Sequence, residues 1–437
     1  MEQPLIHVGI VHAIEVHFTL DGNYTLNGVH VNGEQVATYQ PDGTVLWHGT
    51  AFRELEFMAT KSDDKFLLHD VVIGINFHWE RKETQVFQGS LKLMIEDSKV
   101  VAVNILPVEK YLVSVISSEM KATAGLQYLK AHAVISRSWV LAQMEHRRHL
   151  SVTDDSATRP AVTNDKNEIV INRWYGRSAH TLFDVCADDH CQRYQGITRA
   201  SNPTVEQAVK ETRGEVLTYG GEICDARFSK SCGGISEAYE YCWDDTPHPY
   251  LKPVLCNDDS KAQLPDLRIE ANADKWIRQS PVAFCNTKDR KVLAQILNDY
   301  DQETTDFYRW KVSLSQEKLQ SLIAEKQHVD IGHVLSLIPL ERGCSGRITK
   351  LKIEGENKTL IIGKELEIRR TLSDSHLLSS AFVVDKTADG FLLTGAGWGH
   401  GVGFCQIGGA VMAEKGYLYD QILFHYFTNA ALTKRYS

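Results

Sequence analysis

Glycine occupies every second position from 395 to 403 in GAGWGHGVGFCQIGGA, with Ala396, Trp398, His400 and Val402 between. Five glycines in nine residues rule out a helix, since each costs about 1 kcal/mol relative to alanine in a helix interior. In an extended chain alternate residues face opposite sides. Read as a strand, the segment carries an indole, an imidazole and small apolar groups on one face and bare backbone on the other. Such glycines mark a bend or a close approach by ligand or chain. The expectation is a strand on which something extended lies, either a ligand or a second segment of protein.

The rest of the chain mixes strand and helix signals, an α+β pattern. Residues 1–104 read as β-rich, with turn dipeptides at Asp21-Gly22, Asn27-Gly28, Asn32-Gly33 and Asp42-Gly43 between alternating apolar residues. Residues 86–106 continue as a hairpin or meander. VEKYLVSVISSEM and the stretch from Leu126 to Met144 then repeat apolar residues at helical spacing around Gly125, an αα-hairpin. Residues 151–179 read as a polar loop, 208–240 as short strands with Gly-Gly turns, and 258–330 as a helix-leaning insertion. Strands return at 349–370 and 380–394, and Ala410–Lys415 and Tyr419–Phe427 read as short helices separated by Gly416. At 437 residues the chain exceeds one average domain. The division expected is an N-terminal β-rich segment, 1–85, and a main domain, 86–437.

A net charge of −9 argues against nucleic acid or anionic lipid as the main partner, because counterion release needs a basic face. Arg147, Arg148 and His149 read as a solvated helix end. No stretch is long and apolar enough to span a bilayer. The first residues, MEQPLIHVGIVHAIEVHF, lack the basic start and small-residue cleavage site of a signal peptide. Action in the cytoplasm and prior removal of a leader both remain open on these grounds.

Several groupings bear on chemistry. Glu119 falls at the expected C-terminal end of the first helix, where the helix dipole disfavours a carboxylate charge. Partial burial there would favour a protonated, proton-donating carboxyl; the plainer alternative is a solvated glutamate beside Lys121. In HTLFDVCADDHC, the residues His180, Cys186, His190 and Cys191 bring two imidazoles and two thiols into twelve residues. That donor set suits tetrahedral zinc, and a Cys186–Cys191 disulfide is the alternative. RFSKSCGGISE places Ser229, Ser231, Cys232 and Glu237 as polar groups in a loop freed by Gly233 and Gly234, either a substrate loop or a turn around a buried Cys232. A Cys232 nucleophile served by His400 lacks any local protease signature. Ser118 to Lys121 matches S-x-x-K, but no K-T-G box follows. The glycine run has no G-K-[ST] ending, so it is not a phosphate loop.

Taken in order, VEKYLVSVISSEM, LKAHAVISRSW, FDVCADDHCQRYQG, AVKETRGEVLTY with FSKSCGGISE, and GWGHGVGFCQIGGAVMAEKGYLYDQILFHYF resemble the SpoIID/LytB family of stage II sporulation and amidase-enhancer proteins. The resemblance runs from about residue 86 to 430; SGR at 345–347 and ELEIRR at 365–370 look like late strands of that family. It implies a peptidoglycan lytic transglycosylase of the cell envelope. Such an enzyme cleaves the β-1,4 bond between N-acetylmuramic acid and N-acetylglucosamine in glycan strands stripped of peptides. The family's glutamate falls on Glu119. The resemblance also implies a groove in which Trp398 stacks on sugar rings while His400 and Gln406 hold polar substituents, with Arg137, Ser229, Ser231, Gly233 and Gly234 as further contacts. Zinc at the His/Cys cluster would be structural, since four protein ligands leave no open position. Two rivals follow: a glycan-binding enhancer of a cell-wall amidase that does not cleave, and a zinc hydrolase using the His/Cys cluster.

Overall fold

The computed structural model describes residues 2–73, 81–119, 124–149, 162–164, 168–172, 180–188, 190–198, 202–259, 262–296 and 305–437. The fold is α+β. The chain divides into two compact units, one of residues 1–149, 179–216 and 433–437, the other of residues 150–178 and 217–432. The division therefore does not fall at residue 85. The reason is that the early strands share one sheet with the strands that lead into the helical hairpin.

In the first unit ten strands run in chain order: β1 (Leu5–Ala13), β2 (Glu15–Leu26), β3 (Val29–Tyr39), β4 (Val45–Trp47), β5 (Thr50–Phe52), β6 (Leu55–Ala59), β7 (Lys65–Ile73), β8 (Arg81–Gln88), β9 (Ser90–Glu96) and β10 (Lys99–Pro107). The path Val185–Cys186, β1, β10, β9, β6, β2, β3, β4, β5 forms one sheet, with β7 pairing β2 and β8. Two of the four expected turns are turns. Asn27-Gly28 closes β2 onto β3 with both residues at positive φ, as a tight hairpin requires. Asp42-Gly43 joins β3 to β4. The other two lie inside strands: at Gly22 the chain bulges around the Asp64 carboxylate, which accepts the Asn23 N–H at 2.9 Å, while Gly33 pairs with Leu20 within the β2–β3 ladder.

Helix α1 (Val108–Glu119) follows β10 directly, and α2 (Leu126–His149) follows after a short connection. Both match the helical spacing of the sequence. Continuous burial of Val100 to Asn104 shows both faces of β10 covered, and Tyr111, Leu112 and Val115 of α1 are fully buried. Helix α3 (Pro203–Glu211) begins where Asn202 accepts the Thr204 N–H at 2.8 Å and Pro203 takes the first turn. Residues 208–211, expected in a strand, therefore end a helix.

The second unit has a sheet ordered Val162–Asn164, Glu168–Asn172, Thr359–Gly363, Ile348–Gly355, Val334–Arg342. Glu168–Asn172 pairs in parallel with Thr359–Gly363, so part of the expected polar loop is a strand; residues 151–161, 165–167 and 173–179 of that loop lie outside the described residues. A second sheet sets Gly390–Ala396 between Arg309–Ser315 and Phe382–Lys386. The helices of this unit are α4 (Glu270–Gln279), α5 (Arg290–Ile296), α6 (Gln316–Gln327), α7 (Glu365–Thr371), α8 (Gln406–Glu414) and α9 (Tyr419–Tyr426). Leu319, Leu322 and Ile323 of α6 and Ile368 of α7 join Leu351, Ile353, Ile362 and Leu393 of the two sheets in one core. ELEIRR is thus the helix α7 and not a late strand. Among the described residues no helix is long and apolar enough to cross a membrane.

Candidate functional site

Glu119 ends α1, half-buried, and its Oε1 accepts the backbone N–H of Arg193 at 2.9 Å. The neighbouring residues fix this contact. Tyr111, one face of α1 earlier, is fully buried and donates its hydroxyl to Gln192 Oε1 at 3.2 Å. Tyr194 stacks on Tyr111 with ring centroids 5.2 Å apart and donates to Asn104 Oδ1 of β10 at 2.6 Å. Burial pushes both phenols far above their ordinary range, so they act as neutral donors. The segment 192–194 is thereby bolted to α1 and to the sheet, and it presents a main-chain donor to the carboxylate.

That segment is the end of the His/Cys loop. His180, Cys186, His190 and Cys191 bring their ligand atoms within 4.8 Å of one another. Cys191 Sγ stands 3.4 Å from His180 Nε2 and 3.5 Å from His190 Nδ1, and the two imidazoles meet edge to face. The adjacent pair His190 and Cys191 converges because the chain turns there, the Cys191 N–H donating to the Asp188 carbonyl at 3.0 Å. The hydrogen bond from Cys191, helped by both histidines, pulls the Cys186 thiol well below its ordinary range against the opposing effect of burial. Val185–Cys186 pairs with Val8 and Gly9 of β1. Asp184 accepts the His7 N–H at 2.8 Å and forms an ion pair with Arg147 at 3.0 Å, so this end of α2 is partnered where the sequence suggested only solvent. The cluster can hold a metal ion. Neither Cys186 nor Cys191 is in a disulfide, and Glu119 lies one hydrogen bond from the residue two places beyond Cys191.

Arg137 has no exposed surface. Its Nε donates to Glu109 Oε1 at 2.9 Å and its Nη2 to Glu109 Oε2 at 2.7 Å, while Nη1 donates to the Glu215 carbonyl at 3.0 Å. Tyr436 also donates to Glu109, at 2.6 Å. The guanidinium neutralises a carboxylate between α1 and α2 and does not face a ligand.

The glycine run, in the second unit, is not the flat strand that alternation suggested. Gly397, Gly399, Gly401 and Gly403 all adopt positive φ, at 73°, 90°, 79° and 69°, so the chain coils between the strand Gly390–Ala396 and the two-residue strand Phe404–Cys405. Protein fills the places a side chain would take. A Cβ at Gly397 would lie 2.7 Å from the Ser231 carbonyl, one at Gly399 3.2 Å from Ser229 Cβ, and one at Gly401 would overlap the Arg347 guanidinium. Arg347 is fully buried and donates to the carbonyls of Gly399 at 3.1 Å and Cys232 at 3.2 Å and to Ser345 Oγ at 2.8 Å. Ser345 in turn donates to the buried Glu237 at 2.7 Å, whose carboxyl burial pushes upward while Ser345 and Arg347 oppose it. Glu237 stood in the sequence as a polar group of the RFSKSCGGISE loop and Arg347 in the SGR triplet, and neither motif revealed the other as its partner.

The remaining candidates sit around this coil. Ser229, Ser231, Gly233 and Gly234 are buried, and a Cβ at Gly233 would lie 2.9 Å from the Gly397 nitrogen. Ser231 and Trp398 exchange backbone hydrogen bonds at 2.8 and 3.1 Å. Trp398 is half-buried and stacks on Phe307 at 4.9 Å. His400 accepts the Val402 N–H at Nδ1, 3.0 Å away, and bonds the Phe228 backbone. Burial, with Arg227, Arg347 and Arg369 nearby, holds this imidazole far below its ordinary pKa, so it is neutral. Gln406 is buried in the first turn of α8. Trp398 and His400 keep solvent exposure; the serine–glycine loop and Gln406 do not.

The stage II sporulation protein (SpoIID) family matches residues 96–219, which carry α1, Glu119 and the His/Cys loop. Stage II sporulation protein D of Bacillus amyloliquefaciens is 25% identical over 329 residues, covering 75% of each chain. An uncharacterized protein of Brachyspira hyodysenteriae is 24% identical over 342 residues, 78% of this chain and 70% of its own. Residues 96–219 therefore carry a SpoIID family domain. The amidase enhancer of Bacillus subtilis is 26% identical over 338 residues, 74% of this chain, which spans 40% of that longer protein. Residues 237–403 match a further family described as a domain of unknown function, DUF8618. The chain therefore carries Glu119 and the His/Cys loop in the SpoIID segment and most of its glycine coil in the other.

Proposed function

We propose that the protein is a lytic transglycosylase of the cell envelope, cleaving the N-acetylmuramic acid–N-acetylglucosamine β-1,4 bond of peptide-stripped glycan, with Glu119 as its single acid and base. The observation that carries this reading is the seating of Glu119: a half-buried carboxyl at a helix end, oriented by the Arg193 amide. Ordinary glycosidases pair two carboxylates, because one must activate water or form a covalent link. In transglycosylation the sugar's own C6 hydroxyl attacks the anomeric carbon. The bond from C1 to the leaving oxygen breaks, the C1–O6 bond forms, and no water is consumed. Glu119 protonates the leaving oxygen and takes the proton of the attacking hydroxyl, so one group suffices.

His180, Cys186, His190 and Cys191 fit zinc by donor type and convergence. Bound there, zinc would cross-link the loop and leave no coordination position open, a structural role that keeps the Arg193 amide against Glu119. A hydrolytic zinc reading lacks the open position it needs. Trp398 and His400 are the substrate contacts retained in this proposal, with Trp398 offering its exposed side to a sugar ring.

The second reading is a glycan-binding enhancer of a cell-wall amidase, favoured by the likeness to the amidase enhancer. Incubating wild-type protein and Glu119→Gln with peptide-free glycan separates the two. Turnover by the wild type alone, with both proteins sedimenting with the glycan, supports the enzyme. Equal sedimentation without turnover by either supports the enhancer.

A further inference from the structure

Cys232, Cys256 and Cys285 come from three loops and Cys405 from the short strand Phe404–Cys405, and the four meet in the interior of the second unit. All four are buried, at 2%, 0%, 1% and 0% exposure, and their sulfurs lie within 4.8 Å of one another. All four thiols are free. Four uncharged thiols packed together make a poor core, since each leaves weak donors and acceptors facing the same. Polar groups reach two of the sulfurs instead. The Cys232 N–H points at Cys405 Sγ, 3.3 Å away, and the fully buried Tyr426 hydroxyl lies 3.2 Å from Cys256 Sγ. Outer donors of this kind are what metal-bound sulfur recruits.

We propose that these four cysteines form a closed, mononuclear zinc–thiolate site with a structural role. A tetrahedron with metal–sulfur bonds of about 2.3 Å has sulfur–sulfur edges of roughly 3.8 Å; Cys232 and Cys285 stand 3.7 Å apart. A four-iron cluster holds each thiolate on a different corner of a cube, too far apart for the 4.8 Å within which these sulfurs lie. Four soft ligands around one tetrahedral position favour zinc.

The ligands' places in the chain say what the metal does. Cys256 and Cys285 lie inside the segment 237–403, and Cys232 and Cys405 flank its two ends. One metal therefore ties the base of that segment together and fixes the point where the glycine coil passes into α8. Gly408, in the first turn of α8, packs against the site: a Cβ there would overlap the Tyr426 hydroxyl and lie 2.7 Å from Cys256 Sγ and 3.3 Å from Cys405 Sγ.

The test reads metal and leaves activity aside, so it stands or falls apart from the lytic reading. The full-length protein is prepared with zinc, desalted, and examined by native mass spectrometry and zinc-edge X-ray absorption, beside a Cys186→Ser/Cys191→Ser variant. That variant is expected to retain one zinc with an all-sulfur shell. A variant holding no zinc, a shell containing nitrogen, iron in place of zinc, or a mass four hydrogens light from two disulfides would each overturn the proposal. Cys256→Ser is expected to lose this zinc alone; if it does not fold, the measurement on the other variant decides.

Discussion

The two cysteine clusters are built in opposite ways. His180, Cys186, His190 and Cys191 come from one loop, separated by at most 11 positions, and remain partly open to solvent. Cys232 and Cys405 are 173 positions apart, and their cluster is closed to solvent and made of sulfur alone. A local cluster can order only its own loop, and that loop is the one touching Glu119. A cluster assembled from distant segments holds a unit together. Metal at the first would therefore act on the reaction, and metal at the second on the fold.

Breaking the second cluster should have the largest effect. Cys256→Ser should lower the melting temperature by about 10 °C or more, because a structural zinc contributes several kcal/mol to folding. Differential scanning calorimetry reads this, and Cys186→Ser should shift the transition far less. Glu119→Gln should reduce glycan turnover by about 10² to 10⁴-fold, the usual share of a general acid, with the melting temperature unmoved. Gly408→Ala sharpens the comparison, since a methyl group would press on Cys256 and Tyr426; overpacking of about 1–3 kcal/mol is expected by urea unfolding. A chelator with a chromogenic readout should strip the exposed cluster before the buried one.

The smallest effect concerns pH. His400 is held neutral in the folded protein, whereas the unfolded chain binds a proton there below about pH 6.5. The unfolded state then carries more protons, so stability falls as the solution is acidified below that value, by up to about 1.4 kcal/mol per pH unit. His400→Asn keeps an acceptor for the Val402 N–H and should flatten that slope in urea titrations between pH 5 and pH 6.5.

What could be read from the sequence follows the same division between local and distant. Helices α1 and α2, the hairpin at Asn27-Gly28 and the His/Cys cluster rest on neighbours in sequence, and spacing alone exposed them. The four-cysteine cluster has no local spacing; two of its members sat in motifs noted for other features, Cys232 beside Gly233-Gly234 and Cys405 at the end of the glycine run. The alternation of glycines suggested a strand because period two is the strand signature. Here it accompanies repeated left-handed turns, with Ser231, Ser229, Arg347 and Arg227 packed against Gly397, Gly399, Gly401 and Gly403 in turn. Arg137 showed the reverse problem. The family resemblance implied a substrate contact there, but its partner Glu109 lies on the preceding helix.

The most direct test of Glu119 as the acid of a transglycosylase is the mass of the new glycan ends. Peptide-free strands treated with the protein should end in 1,6-anhydromuramic acid, one water lighter than a hydrolysed end, and Glu119→Gln should produce none. Ends carrying the full water, or anhydro ends that persist with Glu119→Gln, would contradict the account.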